Sequence, residues 1–337
     1  MIHKAISCWL KMPVTLGVVA GFLVINSVSA RGEPVNVIFD TDMSGDCDDV
    51  AALVVLNNAA DAGEVKILAC LANAHDQDKA SAATIDVINT FYGRPNTPIG
   101  TYHGPKFGPG KSPYTAALRD EFPHTALPDD QMPGAVDIYR KTLAAQPDHS
   151  VTVLSVGFLC NLAELLQSPP DKISPLNGVE LVRNKVKQLV LMGGHFPGGT
   201  NDFECNFSNS DAGPFTQYTV ENWPTPILFC GYEIGCPITT GRVYKDAPPS
   251  PARRAYELFT HFNGRPSWDP TAALAAVRDP RLYWTIQTNG YCRVSSNGTS
   301  VWTQTPNRGH SYLAVKIPPG EVGKVLDNIL LVPQKKK

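Results

Sequence analysis

Short apolar runs alternate with helical patterns through most of this 337-residue chain. Val35–Phe39 reads as a buried strand, and Val65–Leu71, Thr97–Gly100, Val151–Val156, Val186–Met192 and Pro226–Cys230 read as further strands. Between them, Val50–Ala59, Ala80–Tyr92, Ala135–Ala145 and the stretch from Asn161 to Leu166 carry helical patterns. Thr271–Val277 opens a last helix after Asp269-Pro270. The alternation predicts a single-domain α/β fold, with a mostly parallel, doubly wound (Rossmann-like) sheet flanked by helices. Tyr291–Val294 and Ser300–Gln304 flank Asn297-Gly298, which predicts a C-terminal β-hairpin excursion. Tyr102 to Pro133 is rich in Gly, Pro and polar residues and reads as a long surface excursion bordering the site.

Directly after the first strand comes Asp40-Thr41-Asp42-Met43-Ser44-Gly45-Asp46-Cys47-Asp48-Asp49, with five carboxylates in ten residues and no Lys or Arg. Crowded negative charge at a strand end is costly unless a cation sits among the carboxylates. Oxygen-only ligands suit a hard divalent ion, calcium or magnesium. Open α/β sheets bind ligands at the carboxyl ends of their strands, where this loop falls.

The formal net charge of −2 offers no basic stripe for nucleic acid. Lys4 and Lys11 make a weakly basic start ahead of an apolar stretch, Val14 to Ile25, and Val28-Ser29-Ala30 resembles a signal-peptidase site. Residues 1–30 therefore read as a secretory signal and 31–337 as the α/β domain of a secreted or periplasmic protein without stable membrane insertion. An uncleaved N-terminal anchor is the alternative. Seven cysteines follow that segment, an odd set without CxxC spacing, and they read mainly as small buried hydrophobes. Cys230 and Cys236 are the nearest pair for a bridge.

Four islands fall at strand ends or helix starts: the acidic loop; Val156-Gly157-Phe158-Leu159-Cys160-Asn161; Met192-Gly193-Gly194 with Glu204-Cys205-Asn206-Phe207; and Trp268-Asp269-Pro270. In this order, over about Val35 to Leu331, they resemble the inosine-uridine-preferring nucleoside hydrolase family. The resemblance implies hydrolysis of the N-glycosidic bond of a small-molecule ribonucleoside, with calcium as cofactor. It implies Asp42, Asp49 and Asp269 as metal ligands, with the backbone carbonyl of Val156. Asp42 would also be the general base that takes a proton from calcium-bound water. Asp48 would bind a ribose hydroxyl, and Asn73, Glu204 and Asn206 would hold the sugar. It implies a homodimer or homotetramer as well.

Two departures stand out. The family's usual DxDxxxDD spacing is lengthened by two residues, which brings in Asp46 and leaves either Asp42 or Asp46 as the ligand and base. Trp268 stands where many relatives have a His proposed to protonate the leaving base. Trp cannot act as a general acid, although it can stack on a base. His103, His195 and His310 remain as candidates by loop position alone.

Two other functions compete. Phe39-Asp40-Thr41-Asp42 also resembles the DxD strand end of haloacid-dehalogenase-type phosphatases, but those need a later Lys and a separate acidic pair. A secreted, non-catalytic nucleoside- or sugar-binding protein would keep the acidic cage and forgo the leaving-group acid.

Overall fold

The computed structural model describes residues 32–105, 108, 110–198, 203–209, 211–304 and 308–331. The signal segment read over residues 1–30 lies outside them. Twelve strands are present among the described residues: β1 (Val35–Thr41), β2 (Val65–Ala72), β3 (Ile99–Thr101), β4 (Val151–Ser155), β5 (Val186–Met192), β6 (Ile227–Cys230), β7 (Thr239–Thr240), β8 (Arg265–Pro266), β9 (Trp284–Gln287), β10 (Tyr291–Val294), β11 (Ser300–Thr303) and β12 (His310–Val315).

Eight of them form one sheet in the order β3-β2-β1-β4-β5-β6-β12-β9. All its pairings are parallel except β12 with β9. The predicted fold class holds. β10 and β11 form the expected antiparallel hairpin, and β7 with β8 form a second small ladder. The chain runs outward from β1 to β2 and β3, then returns to place β4 on the other side of β1. That reversal makes the β1/β4 crevice the topological switch point, where such sheets bind ligands.

Two helices are buried almost all round. In Asp48–Asp61 every residue from Asp48 to Ala59 is buried, and in Trp268–Val277 every residue from Asp269 to Ala276 is. They pack against each other, with Ala51, Ala52, Ala272 and Ala273 in one core cluster. Alanine leaves little bulk between the two axes and carries the highest helix propensity. The packing sets the N-terminal turns of both helices beside each other, and those turns carry Asp48, Asp49 and Asp269.

The Tyr102–Pro133 segment is more than a surface excursion. It contains helix Thr115–Glu121, and both Tyr114 and Leu118 are fully buried. The Tyr114 hydroxyl donates to the Asp46 carbonyl at 2.6 Å, so the segment pins the acidic loop from behind. The seven described cysteines are all free thiols. Five are buried, Cys236 is half-buried and Cys205 is exposed.

Candidate active site

Asp48, Asp49 and Asp269 each offer a carboxylate oxygen, and these oxygens lie within 4.8 Å of one another. All three carboxylates occupy first helical turns, where unpaired N–H groups and the helix dipole favour negative charge. Asp48 Oδ2 accepts the Asp269 backbone N–H at 3.2 Å, joining the two helix starts directly. Thr41, the last residue of β1, donates its hydroxyl to Asp49 Oδ1.

Asp42 reaches the same place from the end of β1. It lines, with Asp48, Asp49, Val156 and Asp269, a cavity of ≈ 450 Å³. Gly157 explains the close approach of the β1 and β4 ends. A Cβ there would lie 2.5 Å from Asn73 Oδ1 and 2.6 Å from the Asp42 backbone nitrogen. Any side chain there would force these neighbours to shift, so glycine is what lets the two strand ends approach undistorted.

Burial pushes the Asp48, Asp49 and Asp269 carboxyls well above the usual carboxylate range, and neighbouring carboxylates push them further. Asp42 rises to about 7, chiefly by burial. A cluster this crowded and dry is short of positive charge. Its all-oxygen donor set and mutual distances fit a hard divalent cation, whose presence would reverse these shifts.

The cavity gathers most of the residues predicted from the sequence: Asp42, Asp46, Asp48, Asp49, Val156, Glu204, Asn206, Trp268 and Asp269. Their arrangement differs in three respects from the expected one. The tightest carboxylate trio contains Asp48 in place of Asp42. Asp46 turns to Arg265, accepting from its Nε at 2.7 Å. Asn73 is absent from the cavity lining. Its amide donates to Asp40, while its Oδ1 accepts the Phe158 N–H at 3.0 Å.

Glu204 caps a short helix. Its carboxylate accepts N–H groups from Gly194, Asn206 and Phe207 at 2.9, 3.0 and 3.2 Å. Burial raises it to about 7 against those hydrogen bonds. Asn206 donates to the Met192 carbonyl at 3.2 Å. Trp268 donates its indole N–H to the Tyr232 carbonyl at 3.0 Å, and their rings lie 5.5 Å apart at 30°. None of His103, His195 and His310 lines the cavity. His310 is buried under β10, where its Nδ1 accepts the Cys292 N–H at 3.2 Å.

Several contributors escaped the sequence reading. Tyr232, just after β6, could have been found by the same strand-end rule that found Asp42. Arg265 carried no such signal, because β8 is two residues long and its partner Asp46 lies 219 positions away. Asp40 is fully buried beneath the site, where it accepts from Asn73, from the Tyr139 hydroxyl at 2.6 Å and from Asn161 at 3.3 Å.

Comparison with known proteins agrees with this geometry. A search of curated proteins finds no match. Among solved structures, a plant nucleoside hydrolase shares 20% identity at a TM-score of 0.63, covering 89% of this chain and 100% of that one. A purine-preferring ribonucleoside hydrolase from Gardnerella vaginalis shares 18% at 0.63, covering 88% and 100%. An inosine-uridine preferring nucleoside hydrolase from Bacillus anthracis shares 16% at 0.58, covering 88% and 99%. The sequence model of the family described as inosine-uridine preferring nucleoside hydrolase matches residues 37–322. The chain belongs to that family and is an N-glycosyl hydrolase acting on ribonucleosides.

Proposed function

We propose that this enzyme holds a calcium ion with Asp48, Asp49, Asp269 and Asp42, beside the Val156 carbonyl, and that Asp42 is its general base. The observation that carries the reading is the convergence of three buried carboxylates from two helices, with a fourth lining the same cavity. When bound, the cation supplies the Lewis acidity that orients the sugar diol and acidifies water. A set of carboxylates and one carbonyl drawn from separate elements would suit calcium, which accepts six to eight oxygens in flexible geometry, better than magnesium, which demands a near-ideal octahedron.

The chain's own residues supply the rest. Asp42, lining the cavity beside the carboxylate trio, accepts the proton that water loses as it attacks C1′. Asp48 and Asn206 face the sugar hydroxyls from opposite elements. The Asn206 amide is oriented by Met192, and Glu204 fixes the turn that carries Asn206. Positive charge grows on the ribose ring as the bond to the base breaks, and the surrounding carboxylates stabilise it. Asn73 acts at one remove, by holding the Gly157–Phe158 backbone that abuts Asp42. Asp46 is committed to Arg265, which favours Asp42 as the base.

The test is a product assay on purine and pyrimidine ribonucleosides. Free base and free ribose in equal amounts support the reading, and Asp42→Asn lowers the rate by at least about a hundredfold. Tight nucleoside binding with no turnover would support the binding-protein alternative, and phosphate release from nucleotides alone would support the phosphatase one.

We further infer that residues 1–30 are a cleaved secretory signal, so that the enzyme acts outside the cytoplasm, and that it assembles as a homodimer or homotetramer. The apolar stretch from Val14 to Ile25 before Val28-Ser29-Ala30 supports the first. No described helix is long and apolar enough to cross a membrane. N-terminal sequencing of the exported protein should read from Arg31, and light scattering gives the assembly.

A further inference from the structure

The cavity lacks the histidine that many relatives use on the leaving base, and the two N–H and O–H donors nearest to taking its place, Trp268 and Tyr232, are ill suited to that work. The Trp268 indole N–H is spent on the Tyr232 carbonyl. The Tyr232 phenol is pushed further above its ordinary range by its hydrogen bond to Cys236. Among the residues lining the cavity, Arg265 is the single basic side chain.

Arg265 is held with unusual care for a surface arginine. Its Nε and Nη2 face the Asp46 carboxylate, with Nε 2.7 Å from Oδ2. Its guanidinium lies over the Trp268 ring at 5.2 Å and over the Phe259 ring at 5.5 Å. Two edges of the fork are thereby fixed, and Nη1 has no hydrogen-bond partner among the described residues. Asp46 belongs to the lengthened acidic loop and Trp268 replaces the usual His, so both departures from the family pattern meet on this one side chain.

Resting on the hydrolase reading above, we propose that Arg265 is a catalytic residue that stabilises the departing base by hydrogen-bond donation, with Asp46 and Trp268 as its positioning residues. The bond between C1′ and the base nitrogen breaks, and its electron pair leaves with the base. Arg265 Nη1 donates to a ring acceptor of the base and keeps its own proton, because guanidinium does not deprotonate at working pH. Water forms the new bond to C1′, its proton passes through Asp42 to solvent, and the base anion takes a proton back from solvent. An oriented, partly desolvated charge of this kind commonly contributes about a hundredfold in rate.

The experiment compares Arg265→Gln with the wild type on inosine and on 4-nitrophenyl riboside, whose phenolate leaves without help. The proposal expects kcat/KM on inosine to fall by about a hundredfold and on the nitrophenyl riboside by less than about fivefold. Arg265→Lys keeps the charge without the fork and should recover part of the loss on inosine; it also serves if the glutamine variant does not fold. Equal losses on both substrates would mean that Arg265 only anchors Asp46 and would overturn the proposal, as would an unchanged rate on inosine. Wild-type protein that cleaves neither substrate would refute the hydrolase reading itself, and this role with it.

Discussion

Asp40→Asn should make the calcium-free protein more stable and a poorer enzyme. Asp40 is fully buried, and burial raises its carboxyl from 3.8 to about 7 against hydrogen bonds from Tyr139, Asn73 and Asn161. The rise of roughly 3 pH units means that ionised Asp40 costs the native state about 4 kcal/mol relative to the unfolded chain. A group raised in this way gives its stability below pH 3.8 and loses it as pH climbs through about 7. Asparagine does not titrate, so the variant avoids that loss. It gives up one acceptor oxygen, at about 1–2 kcal/mol. The net expectation is a gain of about 2–3 kcal/mol at pH 8 and a small loss at pH 4.5. Carboxylates elsewhere titrate in both proteins and cancel in the difference. Urea unfolding of the chelated proteins at both values measures it. Asn73 would meanwhile face an amide where it met a carboxylate, loosening the Gly157–Phe158 strand end, and turnover should fall by about tenfold or more. A variant that gains no more at pH 8 than at pH 4.5 would refute the claim that Asp40 is held ionised against its burial.

Other perturbations have equally definite outcomes. Gly157→Ala drives a methyl to within 2.5 Å of Asn73 Oδ1 and 2.8 Å of Asp42 Oδ1, so inosine turnover should drop by about a hundredfold while circular dichroism stays native. Burial lowers His310 from 6.5 to about 4, so its contribution is present above pH 6.5 and is lost as pH falls through about 4. That loss amounts to about 3 kcal/mol, and His310→Asn should shrink it in acid unfolding curves. Arg140 is fully buried, does not line the cavity and pairs with Asp171 at 2.8 Å. Arg140→Met leaves Ser168 Oγ and the Ser174 and Leu176 carbonyls without their donor and should cost about 1–3 kcal/mol in urea, with kcat/KM unchanged where the variant is folded.

Much of the architecture was readable because the central strands are mostly apolar. β1, β2, β4, β5 and β6 lie inside the sheet, and the sequence places each within two residues at either end. β9 and β12 were not foreseen. β9 is an edge strand with alternating exposure, and β12 pairs with partners far away in the chain, so neither shows a continuous apolar run. Helix Pro251–Thr260, absent from the expected elements, does carry a local signature: Ser250 caps it and Pro251 opens it. The meeting of Asp42, Asp48 and Asp49 at one cavity was legible because their charges crowd one loop. Asp269 was legible through its motif. The contacts of Asp46 and Asn73 were not, because each partner is distant in sequence: Arg265 for one and Asp40 for the other.

The central claim concerns one cation shared by Asp48, Asp49 and Asp269 with Asp42. Its most direct test is ribose release from inosine by metal-stripped protein as calcium is titrated back. The account predicts negligible release in chelator and a saturable return at one calcium per chain, absent in Asp49→Asn. Full activity in chelator, or a return undiminished by that substitution, would contradict it.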